Sequence, residues 1–65
     1  MKTINDFKKG QKVQIQDEDT LEFIDGKVLR VVNRESERPH VYIQWDDLVD
    51  PVKHFSDEFQ LILKA

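Results

Sequence analysis

The sequence has no cysteine, and only two glycines and two prolines among 65 residues. Without cysteine there are no disulfide staples, no thiolate metal sites and no cysteine nucleophile. With so little glycine and proline there is no linker, so residues 1–65 are expected to form one domain, with 1–6 as a short leading turn or a frayed end. No apolar run exceeds three residues, far short of the roughly 20 that a membrane-spanning helix needs. No charged-then-apolar leader opens the chain, and a cytoplasmic location is the expectation. A basic excess is missing too. Ten Lys and Arg against thirteen Asp and Glu give a net charge of −3, which counts against a dedicated duplex-DNA binder.

What is present is a β pattern. A chain this short buries only about 60% of the surface its unfolded form exposes, so its one core must be used fully. Thr3 to Phe7 reads as a turn that tucks Ile4 and Phe7 inward, and Lys9-Gly10-Gln11 as a turn in which glycine accepts a positive φ. Lys12-Val13-Gln14-Ile15-Gln16 alternates strictly, the period of a half-buried strand. Asp17-Glu18-Asp19-Thr20 interrupts it, and Asp25-Gly26 predicts a turn before a second strand over Lys27 to Asn33. Val28 and Val31 are out of phase there, which predicts a bulge or bend. After a polar hairpin over Asn33 to Pro39, residues His40 to Trp45 form a strand with Val41, Ile43 and Trp45 on one face. Asp46 to Pro51 turns, Val52 to Phe55 is a fourth strand, Ser56-Asp57-Glu58 a tight helical turn, and Phe59 to Leu63 a fifth strand. Five short antiparallel strands must curl to hide a core, so the expected fold is an all-β, five-stranded small barrel. Its core should contain Val13, Ile15, Val28, Val31, Val41, Ile43, Phe55, Leu61 and Leu63.

These residues resemble an SH3-like barrel of the Tudor or KOW type. The likeness is carried by Gly10-x-x-Val13, Gly26-x-Val28, Val41-x-Ile43-x-Trp45-Asp46-Asp47, Phe55 and Phe59-x-Leu61-x-Leu63, and covers about residues 7 to 64. Such barrels serve as methyl-lysine and methyl-arginine readers, as modules on ribosomes and polymerases, and as small subunits docked on enzymes. The resemblance therefore speaks to fold more than to activity.

In an antiparallel meander alternate loops share one end. The segments Asp17 to Asp25 and Asp46 to Pro51 then place eight of the thirteen carboxylates on one rim, with no Lys or Arg in either. Phe23 and Trp45 belong to that end, with Tyr42 one strand-step below. Aromatic faces attract cations by about 0.5–2 kcal/mol each, and carboxylates steer them in. In Tudor barrels the methylated side chain sits between these two loops, and the resemblance implies Phe23, Tyr42 and Trp45 as aromatic candidates with Asp46 or Asp47 as the acidic partner. The plainer reading puts Phe23 and Trp45 in the core and leaves the acids as solvated loop tips. The expected function is a non-catalytic module that recognises a basic or methylated protein segment.

Other chemistries find less support. His40 and His54 have no metal-ligand spacing, and alternation against Phe55 points His54 outward. Asp17-x-Asp19 is similar to the start of a calcium loop, but neither the sixth-position glycine nor the twelfth-position glutamate follows. Two adjacent turn residues such as Asp46-Asp47 seldom have the cleft that tunes a catalytic pair, and no nucleophile triad or phosphate-cradling loop is present, so neither catalysis nor a cofactor is expected. Two alternatives stay open. Lys8, Lys9 and Arg30, interleaved with Tyr42, suit single-stranded nucleic acid by phosphate pairing and stacking. An open barrel edge suits docking, as a small subunit or inhibitor, on a larger protein or on a second copy.

Overall fold

A computed structural model describes residues 2–65. Strands β1 (Lys12–Gln16), β2 (Phe23–Val32), β3 (His40–Trp45), β4 (Val52–Phe55) and β5 (Ile62–Lys64) form one antiparallel sheet in the order β4-β3-β2-β1-β5. Among the described residues β4 and β5 do not pair with each other, so the sheet is curled but not closed. The only helical segments described are the 3-10 turns Ile4–Asp6 and Ser56–Leu61, and no described helix is long and apolar enough to cross a membrane.

The leading turn forms because Thr3 and Asp6 cap each other. Thr3 Oγ1 accepts from the Asn5 amide at 3.3 Å, and Asp6 Oδ2 accepts from the Thr3 amide at 2.7 Å. That reciprocal cap aims Phe7 into the core, and the Lys2 ammonium donates to the Ile62 carbonyl at the start of β5. Gly10 follows at φ +87°, a conformation costly for any side chain, and its amide donates to the Val28 carbonyl at 2.7 Å. The turn is thereby docked on β2.

The expected Asp25-Gly26 turn is absent. Both residues lie inside β2, which begins at Phe23, and the hairpin closes earlier, with the Asp17 amide donating to the Glu22 carbonyl at 2.8 Å. Gly26 has a packing reason to be glycine. It pairs with Trp45 on β3, and a Cβ there would stand 2.4 Å from the indole Cε3. The expected bulge is present: the β2–β3 register slips between Val28 and Arg30, so Val28 and Val31 both face inward although three residues apart.

The end of the chain corrects the expected fifth strand. Residues 59–61 continue a 3-10 helix rather than a strand. Three residues per turn bring Phe59 and Ile62 to one side, and both are buried, whereas Leu61 and Leu63 are exposed. The core is Phe7, Val13, Val28, Val41, Ile43, Trp45, Phe59 and Ile62, with Ile15 and Val31 packed partly against it. Phe59 meets Phe7 at 4.8 Å between ring centroids. Strand β4 is also out of its expected phase: His54 is buried on the inner face, and Phe55 is half-buried on the outer one.

Candidate functional site

Trp45 and Tyr42 are three residues apart on one strand and therefore face opposite sides of the sheet. Trp45 is only 4% exposed. Its indole lies over Gly26 and donates from Nε1 to His54 Nε2 at 3.0 Å. His54 Nε2 is thus an acceptor, so the ring proton sits on Nδ1, facing Glu58 Oε1 at 3.2 Å. These contacts make Trp45 a core residue with a satisfied polar tip, and Phe23, Tyr42 and Trp45 do not enclose one space.

Phe23 is 54% exposed at the start of β2, directly across from Gln16. Asp46 and Asp47 are exposed in the β3–β4 turn, and the Asp46 amide donates to the Asp25 carbonyl at 2.9 Å, joining that turn to β2. The two acidic segments thus meet at Asp25, and some of their carboxylates are tied up in the fold. Asp17 Oδ1 accepts from the amides of Asp19 and Thr20, and Asp25 Oδ1 accepts from Gln14 at 2.9 Å. No described group of three or more His, Asp or Glu side chains converges closely enough to hold a metal ion.

Beside Phe23 lies a shallow groove not foreseen from the sequence, lined by Ile15, Gln16, Glu18, Leu21, Leu61 and Leu63. Leu21 is its most unusual member. Its φ of 62° falls in the left-handed region, which costs a leucine about 1–2 kcal/mol, and its side chain is 67% exposed. Gln16 Nε2 holds the Leu21 carbonyl at 3.1 Å. The expected hairpin from Asp17 to Asp25 hid this position inside a loop, and the wrong phase of Leu61 and Leu63 hid the rest.

Tyr42 belongs to a different surface. On the outer face Arg30, Tyr42 and Lys53 stand directly opposite one another across β2, β3 and β4, and the next row is Val32, His40 and Phe55. His40 is 4% exposed, packed edge-on against Tyr42 and Phe55, with its Nδ1 2.8 Å from the Arg38 carbonyl. Lys8 and Lys9 are not part of this surface; they line a separate hollow beside Gly10 and Lys64. Alternating Lys53-His54-Phe55 carried the signal for Lys53 and Phe55, but so short a strand has two possible phases.

No family model, curated protein or solved structure matches the chain.

Proposed function

We propose that this protein is a non-catalytic binding module, an SH3-like barrel in which the 3-10 helix Ser56–Leu61 bridges the two sheet edges, and that it takes a basic, amphipathic segment of a partner protein along the groove at Leu21, Leu61 and Leu63. Leu21 carries the reading. The Leu21 backbone closes the hairpin, its amide donating to the Asp17 carbonyl at 2.9 Å, but a leucine at positive φ with its side chain in solvent is a costly choice for that turn, and strain of that kind collects at binding sites. Exposed Phe23, Leu61 and Leu63 extend the apolar area. Glu18 lines the groove, while Asp19 and Glu22 are exposed on the same hairpin, so an apolar segment flanked by Lys or Arg is complementary. A cage for a methylated ammonium has less support, because of its three aromatic candidates only Phe23 stands at the rim.

The test is an amide-resolved NMR titration with an alternating Lys–Val octapeptide and its Glu–Val counterpart. The basic peptide should shift Gln16, Leu21, Phe23, Leu61 and Leu63, and the acidic one should leave them in place. Leu21→Gly should abolish these shifts while the melting temperature holds or rises, since glycine relieves the backbone strain. Equal response to both peptides, or full binding by Leu21→Gly, would overturn the reading.

A further inference from the structure

We propose that the outer face of the sheet around Tyr42 is a second, separate binding site, for single-stranded nucleic acid. Four cation–aromatic approaches crowd this small area. The Arg38 guanidinium lies 4.5 Å from the Phe55 ring centre and that of Arg30 5.9 Å from Tyr42, while the Lys53 ammonium is 5.7 Å from Tyr42 and 5.6 Å from Phe55. Among the described residues none of Arg30, Arg38 or Lys53 has a carboxylate within 4.0 Å, and all three are exposed. Cations placed on aromatic rings, and not on acids, keep their charge available to an anion.

The positive track stops short of β1: Lys12 and Lys27 are direct cross-strand partners, but they share a hollow with Asp25 and Asp46, whose carboxylates offset their charge. Tyr42 and Phe55 are half-buried, with their rings fixed by His40 between them. A rigid ring held beside unpaired cations suits a ligand that offers a flat π-face and a phosphate at each step. An unpaired nucleotide strand has both. A duplex hides its base faces, and a simple polyanion has none.

Two features oppose an anion and neither blocks it. Glu37 shares the hollow with Arg38, Lys53 and Phe55, but its carboxylate stands 4.0 Å from Arg34. The acidic rim gives the molecule its net charge of −3, yet Asp46 is four residues along the strand from Tyr42. At about 3.3 Å per residue that is roughly 13 Å, beyond the ~8 Å over which salt screens exposed charges.

Fluorescence anisotropy on the whole chain tests this, with labelled oligouridine and oligothymidine dodecamers, a duplex of equal length, and inorganic polyphosphate as competitor. Both single strands should bind at low salt and the duplex more weakly; a preference between RNA and DNA tells whether the 2′-hydroxyl is read. Affinity should fall with salt at a logarithmic slope of about −0.7 per phosphate engaged, so near −2 for three cations, and Arg30→Gln with Lys53→Gln should remove about 1.4 of that slope. Tyr42→Leu should weaken binding between about five- and 150-fold, the range of a lost stacking contact. Arg38→Gln, at an exposed position, repeats the test at Phe55 and leaves Tyr42 intact. Leu21→Gly should leave nucleic-acid binding unchanged, which separates this site from the groove. No binding at low salt, equal binding of the duplex, or polyphosphate competing fully while Tyr42→Leu has no effect would each overturn the proposal.

Discussion

The two faces of one sheet use the same kinds of side chain for opposite ends. On the inner face Trp45 is buried, and its one polar atom is satisfied by His54. On the outer face another histidine, His40, is equally buried, but the rings it supports, Tyr42 and Phe55, stay half-buried and are flanked by cations. An aromatic closed off with its polar atom paired contributes to stability. One left beside unpaired charge contributes to recognition, because part of its surface and its electrostatic attraction remain unsatisfied. If that division holds, inner-face substitutions change melting and leave binding to the folded fraction, while outer-face and groove substitutions do the reverse.

The sharpest contrast is within the 3-10 helix at the end of the chain. Phe59 is fully buried and Leu61 is 56% exposed, two residues apart. Phe59→Ala should cost about 3–5 kcal/mol, enough to unfold a domain of this size. Leu61→Ala should stay within about 0.5 kcal/mol in stability and weaken peptide binding. Urea denaturation of both variants decides it. Comparable losses would mean that residues 59–63 form a strand after all.

Gly26 comes next. Its replacement by alanine drives a methyl into the Trp45 ring and to 3.0 Å from Ile43 Cγ2. Overpacking of this kind costs about 1–3 kcal/mol, and in a domain this small each kcal/mol lowers the melting temperature by roughly 4–8 °C. Thermal melting followed by tryptophan fluorescence should show both the loss and a displaced indole. An unchanged midpoint would mean that the indole does not lie over β2. Gly10→Ala, by contrast, meets no atoms within 4 Å and suffers only from its positive φ, so its loss should be the smaller.

The same residues mark where the sequence was legible. Strands β1 and β3 could be read to the residue, because strict alternation with one buried face admits a single register. The bulge at residues 28–30 was readable as a phase error between two valines. Gly26 misled because its reason is a ring from another strand, which no local pattern encodes, while Asp-Gly is a strong local turn signal. Phe59-Gln60-Leu61-Ile62-Leu63 is apolar at both period two and period three, and tertiary packing chose the latter. Of the candidate site, the exposure of Asp46, Asp47 and Phe23 is what the structure shows of the expected rim. The groove at Leu21 and the row Arg30–Tyr42–Lys53 were not legible, since the first needs a backbone dihedral and the second a cross-strand register.

A coupling of about 1 kcal/mol is expected at the link between Trp45 and His54, and it sets how firmly the inner face is specified. His54→Leu removes the acceptor of a buried indole N–H while keeping an apolar side chain of similar size, so the loss should reflect the orphaned donor, about 1–3 kcal/mol. Trp45→Phe removes the donor instead. In that background the orphan no longer exists, and His54→Leu should cost about 1 kcal/mol less than it does alone. Urea denaturation of the two single variants and the double variant closes the cycle. A cost for His54→Leu that is equal in both backgrounds would mean that the histidine is held by packing and by Glu58, not by the indole. A coupling of the expected sign would make the pair the polar latch that fixes which face of β4 turns inward, and hence why Lys53 and Phe55 turn outward beside Tyr42.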